Sequence, residues 1–205
     1  MEDMPLRALA LNCSLKSDPD EESSTDALIS VLSGAFEELE VAVTRTVRVA
    51  SLDIKPGVTS DEGEGDEWPA LREELLEHDI LIFGGPIWMG QVSSVAKRVL
   101  ERLDAFLGET DDQGRMLSYS MVAVAAIVGN EDGAHCSSAQ LFQALNDVGF
   151  TIPAVAACYW VGEAMGSVDF KDLDTVPDKV TQTAAMVAGN AAHLAGLLER
   201  SPYPG

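Results

Sequence analysis

Apolar runs and amphipathic stretches alternate along the chain. Apolar runs predict five strands, at residues 6–11, 41–49, 80–83, 119–128 and 152–158, and the alternating, β-branched second run is typical of a strand near a sheet edge. Apolar residues at helical spacing predict helices at residues 68–77, 93–107, 135–148 and 176–200. Another helix is predicted to begin at Ser23, Ser24 or Thr25 and to carry Leu28, Ile29, Leu32, Phe36 and Leu39.

This order of elements predicts the architecture. Strict alternation of strands and helices favours an α/β fold, with a parallel sheet, right-handed crossovers and helices on both faces in a three-layer sandwich. The 205 residues suit one domain, and the sequence contains neither an internal repeat nor a separate linker. Periodicity leaves the order of the strands open. In this architecture the loops after strands 1, 3, 4 and 5 meet at one edge of the sheet, where open α/β folds bind ligands.

Two of the loops have distinctive compositions. Gly84-Gly85-Pro86 follows the strand at 80–83 and predicts a tight turn, after which Ile87, Trp88 and Met89 would form a wall suited to something flat and apolar. Residues 51–67, called here the acidic segment, contain Pro56, several glycines and many carboxylates. That composition predicts a solvated, flexible loop.

Charge and composition exclude several classes of function. The formal net charge is -21, from 34 acidic and 13 basic residues, which would repel nucleic acid. A highly soluble surface and steering of a basic protein partner both remain open as reasons for this charge. No run of about 18 uncharged apolar residues predicts a membrane span. The acidic start of the chain lacks the basic flank of a signal peptide, so we expect a cytoplasmic protein.

The three cysteines, Cys13, Cys136 and Cys158, are too few and too irregularly spaced for a disulfide framework or a common zinc pattern. We expect buried free thiols, with a redox role as the alternative. No metal site is expected.

The loops at the predicted edge offer complementary groups. Hydroxyl side chains and Lys16 precede the first helix, whose N-terminus favours anions. Neither a P-loop nor a GxGxxG motif is present, which disfavours ATP and classical dinucleotide binding. For the first loop, the alternative to anion binding is a capped helix behind a polar loop. Tyr159 and Trp160 begin the loop after the last predicted strand, and the alternative to a site role for them is a place in the core. Together the loops offer an anion seat, an apolar slot and polar edge contacts, which would match the phosphate, the tricyclic ring and the polar ring edge of FMN.

Three motifs carry a resemblance to a known family. Asn12-Cys-Ser-Leu-Lys, Gly85-Pro-Ile-Trp-Met-Gly-Gln with the helix from Ser93-Ser94-Val-Ala-Lys, and Gly129-Asn-Glu-Asp-Gly-Ala-His resemble the flavodoxin-like NADPH-dependent FMN reductase and quinone reductase superfamily. The resemblance implies a flavodoxin-like fold of strand order 2-1-3-4-5 with FMN at the strand ends. It places the FMN phosphate on Ser14, Lys16, Ser24 and Thr25. It places the flavin ring on Pro86, Ile87, Trp88, Met89 and Gly90, and the ring edge on Asn130, Glu131, Gly133 and His135.

The resemblance implies an FMN-dependent oxidoreductase that passes electrons from NAD(P)H to a quinone, a flavin or a similar small acceptor. His135 is the side chain we expect to carry a proton if any does. We also expect a homo-oligomer, either a dimer or a tetramer. The alternatives are a flavodoxin-type electron carrier that docks protein partners, and an interaction module that has lost FMN. The last is motivated by Asp18, Asp20, Glu21 and Glu22, which would oppose a phosphate unless they point to solvent.

Overall fold

The computed structural model describes residues 5–204, so Glu2 and Asp3, on which the localisation expectation rests, lie outside it. Within that range the strands are β1 (Arg7–Asn12), β2 (Ala42–Arg48), β3 (Ile80–Trp88), β4 (Gln91–Val92), β5 (Val122–Gly129) and β6 (Ala157–Val161). The α-helices are α1 (Ser24–Glu37), α2 (Trp68–Leu76), α3 (Ser94–Leu103), α4 (Ala134–Asp147) and α5 (Asp178–Arg200). Short 3₁₀ turns occur at Val49–Ser51, Asp104–Gly108 and Phe170–Asp172.

The sheet has the order β2-β1-β3-β5-β6, and each of these strands runs parallel to its neighbours. Counting only the parallel strands, this is the order 2-1-3-4-5, so the flavodoxin-like order is confirmed. The alternating strand β2 lies at an edge, as predicted, and the long apolar strand β5 lies inside the sheet. Strand β4, which was not predicted, forms a short antiparallel hairpin with the end of β3.

Two apolar cores cover the two faces of the sheet. On one face, side chains of the strands pack against α1 and α5, and on the other against α2, α3 and α4. The predicted three-layer arrangement is therefore confirmed. No α-helix within residues 5–204 has both the length and the apolar character needed to cross a membrane.

The turn predicted at Gly84-Gly85-Pro86 is wrong, because these residues continue β3. They pair in register with residues 126–128 of β5. A Cβ on Gly84 would lie 2.5 Å from Cδ1 of Ile29, so this glycine lets α1 approach the sheet. Strand β1 ends opposite Gly84, and beyond that point β3 has one parallel neighbour, an edge situation in which proline is tolerated. At the edge of the sheet where ligands are expected, β3 therefore continues as a strand and does not turn into a loop.

The last strand was predicted too early in the chain, at residues 152–158, whereas β6 spans Ala157–Val161. Pro153 cannot donate to a ladder, and Val155 has a φ of 54°, so the chain bends between these residues before pairing begins. The consequence is that Tyr159 and Trp160 belong to the strand instead of the loop after it.

The acidic segment is a loop whose residues are mostly exposed or half-buried, as predicted, but a few of its groups anchor it to α3. Arg102 is fully buried, and its Nη2 lies 2.7 Å from Oδ2 of Asp66, whose side chain is also fully buried. The same guanidinium donates to the carbonyl oxygens of Thr59 and Lys55 at 3.0 and 2.9 Å. Ile54 is buried in the core beneath α3. One arginine therefore organises a segment that looks unstructured by composition.

Buried free thiols are confirmed for Cys13 and Cys158, but Cys136 is exposed, so the prediction is wrong for that residue. Burial raises the pKa of the Cys13 thiol well above its usual range and that of Cys158 to about 12. Both buried thiols are therefore protonated and inert near neutral pH.

Candidate functional site

A cavity of about 520 Å³ lies at the carboxyl ends of β1, β3, β5 and β6. Its lining includes, among the residues proposed from the sequence, Ser14, Lys16, Ser24, Thr25, Pro86, Ile87, Trp88, Asn130 and Glu131. The lining also contains residues that were not proposed, namely Leu15, Ser23, Val128, Gly129, Trp160, Met165, Asp169 and Phe170. A volume of this size is typical of a small-molecule site.

One end of the cavity has the chemistry of an anion seat. Ser14 is 4% exposed, and its Oγ has no hydrogen-bond partner within residues 5–204. Helix α1 begins beside it with a capping box, in which Ser23 Oγ accepts from the Asp26 N–H at 3.1 Å. The N–H groups of Ser24 and Thr25, in the first turn, have no partner in the helix ladder. A buried hydroxyl without a partner next to such N–H groups favours an anion.

The charged side chains of this loop are arranged around the seat rather than in it. Lys16 donates from Nζ to Oε1 of Glu21 at 2.7 Å and to the carbonyl oxygen of Glu22 at 3.0 Å. Asp18, Asp20, Glu21 and Glu22 are all exposed, so their carboxylates face solvent. The predicted opposition of these four acids to a phosphate is therefore reduced by exposure to water.

The other end of the cavity is an apolar slot. Pro86 and Ile87 form one wall from the end of β3, and the rings of Trp160 and Phe170, whose centroids are 5.5 Å apart, lie across the site. Trp88 is 53% exposed at the mouth. Because the wall is part of a hydrogen-bonded strand, its position is fixed by the sheet. Phe170 lies far along the chain, and sequence pattern gave no signal for it.

The hairpin of β3 and β4 is held against the loop after β5. The Met89 N–H donates to Oε1 of Glu131 at 2.8 Å. A Cβ on Gly133 would lie 2.6 Å from Cα of Gly90, and both glycines have positive φ, so the two backbones meet where no side chain fits. Met89, Gly90 and Gly133 lie outside the lining but shape its rim.

Asn130 connects the loop after β5 to the segment after β6. Its carbonyl oxygen accepts from the Met165 N–H at 3.1 Å, and its Nδ2 donates to Oδ1 of Asp169 at 2.8 Å. Its Oδ1 is buried and has no partner among the described residues. The side chain therefore fixes one side of the cavity and keeps one acceptor free.

The structure does not bring His135 into this cavity, which corrects its proposed place in the site. Helix α4 begins one residue earlier, and its first turn buries Ala134 and Ser137 while His135 is exposed. His135 points to the other side, where its Nε2 lies 3.1 Å from Oη of Tyr159 in a separate groove. From this groove the His135 side chain does not reach the cavity.

Comparison with known proteins adds a family and two relatives. The family model described as NADPH-dependent FMN reductase matches residues 6–165. The chain is 32% identical over 212 residues to 8-demethyl-8-aminoriboflavin-5'-phosphate synthase of Streptomyces davaonensis, covering 98% of this chain and 81% of that protein. It is 39% identical over 205 residues to a Mycobacterium bovis protein named divalent metal cation transporter MntH, covering 96% of this chain but only 29% of that protein.

A solved structure is similar over the same range. The crystal structure of RosB with the bound intermediate 8-demethyl-8-formylriboflavin-5'-phosphate has a TM-score of 0.85 and 30% sequence identity to this chain. The match covers 97% of this chain and 82% of RosB.

Proposed function

Because the chain belongs to the NADPH-dependent FMN reductase family, we propose that its cavity binds FMN. We also propose that the protein passes electrons from NAD(P)H to a small acceptor such as a quinone or a flavin. The observation that carries the proposal is that the buried Ser14 Oγ, which has no partner among residues 5–204, lies in one cavity with the apolar slot beside Pro86 and Ile87. A phosphate ester joined to a flat aromatic system has these two parts.

The residues at the anion seat fit a phosphate. Ser14 Oγ and the first-turn N–H groups of α1 would donate to it, and Lys16 would add a positive charge at the edge. Ser24 and Thr25 line the same end of the cavity and would contribute hydroxyl donors.

The residues of the slot fit a flat ring system. Pro86, Ile87 and Trp88 would contact its apolar faces, and Asn130 and Glu131 would lie along its polar edge. FMN, when bound, supplies the electron-transfer chemistry, while the protein holds it, shields it and leaves the acceptor access from the mouth. The relative whose structure holds a flavin 5'-phosphate supports this assignment of the cavity.

FMN binding is the first test. Titration of the flavin-free protein with FMN should quench flavin fluorescence to a stoichiometric end point, and riboflavin should bind more weakly because it lacks the phosphate. The loaded protein should then oxidise NADPH steadily when a quinone or free flavin is supplied. Absence of any quenching would sink the proposal. A loaded protein that exchanges single electrons with a protein partner, without NADPH oxidation, would instead favour the electron carrier.

Trp88→Ala should weaken flavin binding or slow turnover. The indole covers the mouth of the slot, and contacts between aromatic rings of this kind contribute about 0.5–1.5 kcal/mol beyond area burial, or roughly a twofold to tenfold change. Leu107→Ala removes an equally exposed apolar side chain from the turn after α3 and is the matched control. If both variants keep wild-type affinity and turnover, Trp88 has no part in the site.

A second candidate function treats the flavin phosphate as the reacting molecule. It is favoured by the 32% identity, over 98% of this chain, to an enzyme named as a synthase of a modified riboflavin 5'-phosphate. Mass spectrometry of flavin recovered after incubation with the protein and a cell extract decides between the two. Unchanged FMN supports the reductase, and a flavin of altered mass supports the second candidate.

A further inference from the structure

We infer that Arg48 and Asn12 are positioning residues that give the cavity its preference for a flavin carrying a 5'-phosphate. Neither residue lines the cavity, and both act through the loop between β1 and α1. The inference rests on the proposed binding of FMN and concerns how this chain holds the phosphate end of the site. The Arg48 network consists of Arg48, Asp26, Asn12, Ser23 and Ser14.

Arg48 contacts both the loop between β1 and α1 and the first turn of α1. It is the last residue of β2, is 8% exposed, and pairs through Nη2 with the carboxylate of Asp26. Its Nη1 donates to the carbonyl oxygens of Lys16 at 3.4 Å and of Glu21 at 3.2 Å. Since the C=O and N–H of a trans peptide point in opposite directions, the N–H groups of Ser17 and Glu22 point away from the guanidinium. Two carbonyl oxygens that would repel an anion are thus turned toward Arg48.

Asn12 links Asp26, the partner of Arg48, to Ser14. It is fully buried at the end of β1, and its Nδ2 donates to Asp26 and to Ser23 Oγ, the latter at 3.2 Å. Its Oδ1 accepts from the Ser14 N–H at 2.9 Å. The backbone of Ser14 is therefore fixed through a continuous series of contacts from Arg48, while its Oγ has no partner in the described part of the chain and can donate to a ligand.

The network also neutralises a charge that would oppose a phosphate. Asp26 lies in the first turn of α1, where its carboxylate completes the capping box but would repel a dianion at the seat. The guanidinium of Arg48 compensates that charge at close range, in a partly buried setting where screening by salt is weak. Removal of Arg48 would leave the carboxylate uncompensated next to the phosphate, which riboflavin lacks.

The test compares dissociation constants for FMN and riboflavin in four variants. Arg48→Met removes the charge. Arg48→Lys keeps the charge but lacks the two guanidinium nitrogens that contact Asp26 and the loop carbonyls at the same time. Asn12→Ala breaks the link to Ser14. Arg45→Met is the control, because Arg45 lies three residues away on β2, is exposed and pairs with Glu74 at 2.8 Å. Arg48→Met should lower the preference for FMN over riboflavin by about tenfold to a hundredfold. Arg48→Lys should lower it less, and Arg45→Met should leave it unchanged.

The outcomes separate this inference from the proposed function. A wild-type protein that does not bind FMN overturns both. Wild-type preference for FMN with the same preference in folded Arg48→Met and Asn12→Ala overturns the inference alone. Equal losses of FMN and riboflavin affinity would show a general structural role and also overturn it. If Arg48→Met does not fold, as judged by circular dichroism, the ratios for Arg48→Lys and Asn12→Ala decide.

Discussion

Arg102→Met is expected to lower the free energy of unfolding by about 3–5 kcal/mol, the usual cost of removing one partner from a buried ion pair. The change would leave the carboxylate of Asp66 buried and uncompensated, and the carbonyl oxygens of Lys55 and Thr59 would lose their donor. Urea unfolding followed by circular dichroism measures the loss.

Two further variants identify the cause of that loss. Lys97→Met removes an exposed cation from the same helix, 3.4 Å from Glu101, and should cost less than about 1 kcal/mol. Adding Asp66→Asn to Arg102→Met removes the uncompensated charge and should recover part of the stability. Equal losses for Lys97→Met and Arg102→Met would contradict the role assigned to the buried pair.

The same pair gives the stability a defined dependence on pH. Burial by itself would raise the pKa of Asp66, but hydrogen bonds from Arg102 and from the N–H groups of Glu62, Lys55 and Trp68 outweigh it and hold the pKa well below its ordinary value. A lowered folded pKa means that the contribution is present above the unfolded value of about 3.9 and is lost as the pH falls toward the folded value. The stability difference between wild type and Arg102→Met should therefore shrink below about pH 4.

Ser14→Asp is expected to weaken FMN binding by about 1–3 kcal/mol or more, roughly fivefold to beyond a hundredfold, and riboflavin binding much less. The carboxylate would face a phosphate dianion at a position where the residue is only 4% exposed, so water would screen the repulsion weakly. Isothermal titration of both flavins measures the two losses.

Ser14→Asn is the matched control for size, because asparagine has the shape of aspartate without its charge. Its amide can still donate to the phosphate, so Ser14→Asn should weaken FMN binding much less than Ser14→Asp does. A Ser14→Asp protein that loses FMN and riboflavin equally would mean that the phosphate lies elsewhere in the cavity.

The pattern of apolar residues was sufficient for the layers and for the positions of most elements, because strands and helices differ in periodicity. It failed at Gly84-Gly85-Pro86, where glycine serves the approach of Ile29 on a distant helix instead of a turn. The turn preference of glycine and proline depends on neighbouring residues only, so it cannot predict a contact with a residue far away in the sequence. It failed again at β6, where a continuous apolar run did not reveal which of its residues pair with β5.

The candidate site was predictable where its residues directly follow strands. Ser14, Trp88 and Asn130 belong to that group, since the carboxyl ends of parallel strands meet at one edge. Phe170 and Arg48 could not be found in this way, because the fold brings them to the loop from other parts of the chain. His135 was placed by its motif, but the direction of the first turn of α4 decides where its side chain points.

The burial of Arg102 sets a limit on how far this fold can be miniaturised. Surface loops usually tolerate shortening, because each change in loop length alters the closure entropy only slightly. Residues 55–66 look like the natural place to trim a compact scaffold, but they supply the two carbonyl oxygens and the carboxylate that surround Arg102. Engineers who excise them must replace that arginine with an apolar residue in the same step.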